Sequence, residues 1–150
     1  MPINPALVGR TYPPSEPYEV GREKIREFAD AIGDANPAYR EPAAAAAHGH
    51  PDVVAPPTFA IVLAFAAGRS VIEDPELGVD YSRVVHGEQS FAFTRPIRVG
   101  DVLVATPTIR SVRAAGRNEV LTVECAIATA DGEPVCTATN TLVVRGGAGG

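Results

Sequence analysis

Pro56-Pro57-Thr58-Phe59-Ala60-Ile61-Val62-Leu63-Ala64-Phe65-Ala66-Ala67 is the stretch on which the fold turns. Proline and threonine are favourable helix-start residues, and the run beyond them is apolar on every face. The spacing predicts a helix over about residues 57–72. A helix without a polar face is expected to be buried all round. In a chain of 150 residues, something has to wrap it.

The C-terminal half supplies the wrapper. Alternation predicts four strands, at about 88–97, 101–113, 119–130 and 134–144. Val99-Gly100, Ala114 to Asn118 and Asp131-Gly132 connect them, each with hairpin chemistry. Leu121, Val123, Cys125 and Ile127 alternate with Thr122, Glu124 and Ala126, so that strand buries one face. Consecutive hairpins imply an antiparallel meander with one apolar side. An antiparallel sheet curved around one central apolar helix is an α+β architecture, the hot-dog fold.

Upstream, a proline-rich start ends in Tyr18-Glu19-Val20, which reads as a short strand. Ile25, Phe28, Ala29 and Ile32 recur at helical spacing up to Gly33. Asp34-Ala35-Asn36-Pro37 is a turn cluster, Ala43 to Ala47 a helical turn, and His48-Gly49-His50-Pro51 a break. One domain over residues 1–145 is expected, followed by a disordered glycine-rich tail from Gly146 to Gly150.

Charge and composition narrow the function. A net charge of −5 argues against a nucleic-acid partner, which needs a basic excess. The N-terminus lacks a signal-peptide pattern. The longest uncharged apolar run, Phe59 to Gly68, is about half the ~20 residues of a membrane span. A cytoplasmic protein is therefore expected. A two-residue turn at Asp131-Gly132 would set Cys136 opposite Ile127 and only diagonal to Cys125. Diagonal neighbours stand roughly 7–8 Å apart, too far for a relaxed disulfide, so two buried, reduced thiols are expected.

The segment Phe28-Ala29-Asp30-Ala31-Ile32-Gly33-Asp34-Ala35-Asn36-Pro37-Ala38-Tyr39 resembles the signature of the MaoC-like (R)-specific hydratases and dehydratases, Gly-Asp-x-Asn-Pro-x-His. Val54-Ala55-Pro56-Pro57-Thr58-Phe59 and Arg95-Pro96-Ile97-Arg98-Val99-Gly100-Asp101 extend the resemblance over roughly residues 5 to 145. Tyr18 to Glu27 resembles one branch in particular. That branch holds FAS1-type dehydratase N-terminal regions and the non-catalytic, substrate-binding subunits of heterodimeric (3R)-hydroxyacyl-ACP dehydratases. The resemblance places Asp34 on the family's catalytic aspartate and Asn36-Pro37 on its turn. It places Tyr39 where the family has its catalytic histidine. Histidine titrates near neutrality, whereas tyrosine, at about 10, is a poor general base.

The resemblance implies an acyl-ACP or acyl-CoA substrate, a second hot-dog chain carrying the intact Asp/His pair or a second copy of this one, and no cofactor or metal. Asn36, Thr58, Phe59 and His86 become candidate substrate contacts. The free N–H groups of the Thr58-Phe59 helix start would face the thioester carbonyl. Plainer readings stand beside these. Asp34 and Asn36 are good turn-builders, Tyr39 a packing residue, His86 a turn histidine, and His48 and His50 residues of a loop. Two rival functions follow: a non-catalytic acyl-binding or regulatory module, and a self-sufficient hydratase or thioesterase homodimer using Asp34 with His48, His50 or His86.

Overall fold

The computed structural model describes residues 2–149. Five strands form one antiparallel sheet in the order β1-β3-β4-β5-β2, with β1 at Tyr18–Glu19, β2 at Val84–Phe93, β3 at Val102–Ala115, β4 at Asn118–Thr129 and β5 at Pro134–Val144. Among the described residues, three α-helices precede β2: α1 at Arg22–Ala31, α2 at Pro42–Ala47 and α3 at Ile61–Ile72. A 3-10 turn over Pro57–Ala60 leads into α3. The sheet curls around α3, as expected of the helix at 57–72. No helix among the described residues is long and apolar enough to cross a membrane.

The face expected of β4 is the buried one, with Leu121, Val123, Cys125 and Ile127 at most 5% exposed. Buried residues of β3 and β5 continue that face, and α3 packs on it through Leu63, Ala64, Ala67 and Val71. Ile127 stands opposite Cys136 and Cys125 opposite Ala138, so both thiols are free and buried. The turn that achieves this is longer than two residues. Thr129 N–H donates to Glu133 O at 2.8 Å around Ala130-Asp131-Gly132, and a bulge after Ile127 restores the register.

Three expectations are corrected. First, β2 does not pair with β3. Its partner is β5, and it runs over Val84–Phe93 rather than 88–97. Pro96 has no N–H to give a sheet ladder, and the chain leaves the sheet after Phe93. Thr94 to Asp101 then crosses beneath the helix start, where Ala55 N–H donates to Ile97 O at 2.7 Å and Val99 N–H to Val53 O at 3.0 Å. The Val99-Gly100 turn feeds β3 next to β1, so the connection is a crossover and not a hairpin.

Second, α3 is not buried all round. Phe65 is 55% exposed, and Ala66, Arg69 and Ser70 share its open side. A five-stranded half-wrap reaches only one side of a helix. Third, β3 and β4 extend to Ala115 and begin at Asn118, so their turn is tight. At the other end of the chain, Gly147–Gly149 forms a 3-10 turn against β4, with Ala148 N–H donating to Arg117 O at 3.2 Å. Gly150 lies outside the described residues.

Candidate functional site

The motif loop is built by its own side chains. Gly33, at φ +72°, turns the chain out of α1, a conformation that favours glycine. Asp34 Oδ1 accepts Asn36 N–H at 3.0 Å, and Asn36 Oδ1 accepts Ala38 N–H at 3.0 Å, capping the 3-10 turn Pro37–Tyr39. Arg40 clamps the loop from inside. Its guanidinium donates to Asp34 O at 2.8 Å, Asn36 O at 3.1 Å and Asp30 Oδ1 at 2.6 Å. Turn-building therefore occupies part of both Asx side chains.

Tyr39 points inward and is 9% exposed, within the main hydrophobic cluster. Burial raises its pKa above the usual tyrosine value, the negative charge of Asp34 adds to this, and hydrogen bonding from Asn36 offsets part of it. The phenol is accordingly neutral at neutral pH. It can donate a hydrogen bond, but even less of it than of an ordinary tyrosine is in the phenolate form that could accept a proton at neutral pH.

A cleft of about 570 Å³ opens beside this loop, and Asn36, Tyr39, His48, His50, Pro57 and Arg95 are among the residues lining it. The two histidines leave a single turn that closes α2. His48 N–H and His50 N–H both donate to Ala45 O at 3.1 Å, with Gly49 at φ +82° between them. Arg95 donates five hydrogen bonds: to Asp101 Oδ2 at 2.9 Å and Oδ1 at 3.0 Å, to Glu133 Oε1 at 2.8 Å and Oε2 at 3.4 Å, and to Pro96 O at 2.9 Å. The bonds to Asp101 and Glu133 raise its pKa further, so the guanidinium stays charged and paired with both carboxylates at the cleft wall. Two imidazoles therefore line the cleft, the side-chain type most often used in general acid–base catalysis.

The structure brings Asn36 and Tyr39 together with His48 and His50, which the sequence offered only to the rival homodimer reading, and with Arg95, which it did not propose as a site residue. Asp34 stays next to Tyr39 on the loop. Thr58 is exposed on the first turn before α3. The Phe59 side chain is fully buried, edge-on to Phe28 with ring centroids 5.4 Å apart, and its N–H donates to Pro56 O at 2.9 Å. His86 stands elsewhere, on β2, in a second cavity along the other half of α3. Among the described residues, no group of three or more His, Cys, Asp or Glu side chains is placed to hold a metal. The His-Gly-His sequence after an alanine run was the signal available for the cleft histidines; only the fold shows what they face.

The model of the FAS1-like dehydratase domain region matches residues 6–138. A UPF0336 protein of Saccharopolyspora erythraea is 56% identical over 146 residues, covering 97% of this chain and 94% of that protein. Among solved structures, a chain of the C-terminally truncated HadBC (3R-hydroxyacyl-ACP dehydratase) complex of Mycobacterium tuberculosis is 32% identical with a TM-score of 0.81, over 91% of this chain and 96% of that one. A MaoC-like dehydratase is 37% identical with a TM-score of 0.87, over 93% of this chain but 42% of that longer one. Matched by the family model over most of its length, this chain belongs to the FAS1-like dehydratase domain family and has the hot-dog fold.

Proposed function

We propose that this chain is the acyl-binding subunit of a (3R)-hydroxyacyl-thioester dehydratase/hydratase of fatty-acid metabolism, acting in the cytoplasm on acyl-ACP or acyl-CoA. A second hot-dog chain supplies the Asp/His pair. The observation that carries this reading is Tyr39: a buried phenol, raised in pKa, stands at the position where the family motif has its general base. Hydration or dehydration across C2–C3 needs a group that accepts and returns a proton near neutral pH. Similarity to a chain of the HadBC complex supports a multi-chain enzyme. Asn36, Tyr39 and the Pro57-Thr58 helix start then form one wall of the acyl site, beside the charge of Arg95.

His48 and His50 favour a second reading, a homodimer that does its own chemistry with a cleft imidazole. One experiment separates the two. The purified chain is assayed on (3R)-hydroxyacyl thioesters alone and after co-expression with a MaoC-like chain carrying the intact motif. The subunit reading expects little turnover alone and full turnover with the partner. Full turnover alone, abolished by His48→Ala or His50→Ala, overturns it in favour of the homodimer.

A further inference from the structure

The larger cavity, about 780 Å³, lies between the second half of α3 and strands β2, β4 and β5. Its volume is that of a small-molecule site. Val123, Cys125, Ala138 and Leu142 make an apolar floor interrupted by His86 and Asn140, and Arg69, Glu73, Asp74 and Tyr81 also line the cavity. Neither was placed there by local sequence. His86 pairs with Leu142, Glu88 with Thr141 and Gln89 with Asn140, so Gly87 is an extra residue in β2. In a regular strand, positions 86 and 89 would lie on opposite faces. The bulge returns His86 to the face of Gln89 and Asn140. Gly87 suits the bulge, since a Cβ there would stand 3.2 Å from Thr141 O and 3.3 Å from Val143 Cγ2.

The amide pair is incomplete. Gln89 Oε1 and Asn140 Oδ1 are both sealed from solvent and have no hydrogen-bond partner among the described residues. Gln89 spends its Nε2 on Ser90 O at 3.4 Å. Buried polar groups left unpaired cost stability. Directly opposite residues of two strands are close enough for their side chains to meet, and a half-turn of the Asn140 carboxamide exchanges its donor and acceptor ends. In one orientation Asn140 offers the cavity N–H donors. In the other it offers an acceptor, while its N–H₂ turns toward the Gln89 oxygen. A ligand hydroxyl, which both donates and accepts, can pair with whichever end of the Asn140 amide faces the cavity. His86 can meet the same group with either ring nitrogen.

From these placements we infer that the cavity binds an aliphatic acyl chain bearing a hydroxyl group remote from its thioester, and that Asn140 with His86 selects for that hydroxyl. The inference rests on the acyl-thioester reading for the nature of the chain. It goes beyond that reading by specifying the tail. Pro57, at the cleft, and Gly68, at the cavity, are separated by roughly 15 Å of helical rise, so a chain reaching from the cleft would carry that hydroxyl far from the reacting carbons.

Calorimetric titration of the full chain with saturated fatty acids and their ω-hydroxy counterparts, from eight to sixteen carbons, tests this. At one chain length the ω-hydroxy acid should bind about three- to tenfold more tightly than the plain acid, as one or two neutral hydrogen bonds allow. Asn140→Leu, close in size and leaving no orphaned amide at its own position, should abolish the preference without weakening the plain acid. His86→Leu, at an exposed position, should reduce the preference and keep the fold. Equal binding of both series by the wild type, or a preference untouched by both substitutions, overturns the inference and leaves acyl binding intact. Binding of neither series also overturns it, whereas the subunit proposal stands or falls on partner-restored turnover.

Discussion

Tyr39 shows how one residue carries a functional distinction. Its loop was legible in the sequence, because Gly33, Asp34, Asn36 and Pro37 are local turn chemistry that acts within a few residues. Its surroundings were not legible, since His48 and His50 reach the cleft only after α2 has reversed the chain. Tyr39→His rebuilds the family dyad beside Asp34. It is expected to give the isolated chain measurable turnover, within the roughly 10²–10⁴-fold that a general acid–base group contributes. If this variant is silent while the partnered complex works, the catalytic pair belongs wholly to the partner. The cysteines make a second residue-scale prediction. Burial pushes Cys125 up to about 12, with a contribution from Cys136, and burial pushes Cys136 up to about 11. The folded chain keeps these protons where the unfolded chain releases them. Stability is therefore fully present below pH 9 and falls as pH rises toward 12, by at most about 1.4 kcal/mol per pH unit per thiol. Tyr12, raised to about 12 chiefly by burial and by its bond to Asp74, acts in the same direction above pH 10. Urea unfolding at pH 8 and pH 10.5 should show the loss, and Cys125→Ala with Cys136→Ala should lessen it. An unchanged slope in the double variant would mean that the thiols ionise freely in the folded chain.

At the scale of the element, α3 separates what hydropathy reports from what burial requires. Its apolar run predicted the helix correctly, but hydropathy does not say which neighbour covers which face. Leu63, Ala64, Ala67 and Val71 face the sheet, while Phe65 stands open and lines the larger cavity together with Tyr81, itself 64% exposed. Exposed large apolar residues grouped in this way mark an interaction surface. Phe65→Asp should accordingly leave the melting temperature of the lone chain close to that of the wild type, because the new charge meets water. The same substitution should weaken association with a second chain, read by sedimentation. Leu63→Ala, at a position 4% exposed, should cost about 2–5 kcal/mol in urea unfolding. A collapse of folding in Phe65→Asp would show that the open face is covered within the chain.

At the scale of the whole molecule, the two edges of the sheet are unlike. The β3 edge is shielded by β1 and by the N-terminal segment. Gly9 N–H donates to Ile109 O at 2.8 Å, Tyr12 N–H to Pro107 O at 2.9 Å and Ser15 N–H to Ala105 O at 2.8 Å. Tyr12 and Arg10 then tie that segment to Asp74 at 2.6 Å and 3.0 Å. The other edge is β2, ten residues long, with no strand beyond it among the described residues. Long open edges invite pairing with another chain. The protein is expected to sediment as a dimer or larger at micromolar concentration, through β2, with the Phe65 side of α3 inside the interface. A clean monomer under those conditions would remove the edge-pairing argument.

Local order along the chain was enough to specify the helices, the β3–β4 and β4–β5 hairpins, the buried face of β4 and the Asx turn at Asp34. Each depends on periodicity or on residues a few positions apart. The partner of β2, the open face of α3, the arrival of His48 and His50 beside Tyr39, and the turning of His86 toward Asn140 depend on closure of the whole sheet. Strand pairing between residues 84–93 and 136–144, with one extra residue at Gly87, sets which side chains share a face. No local pattern records that, because a single-residue change in register moves a side chain to the opposite side of the sheet.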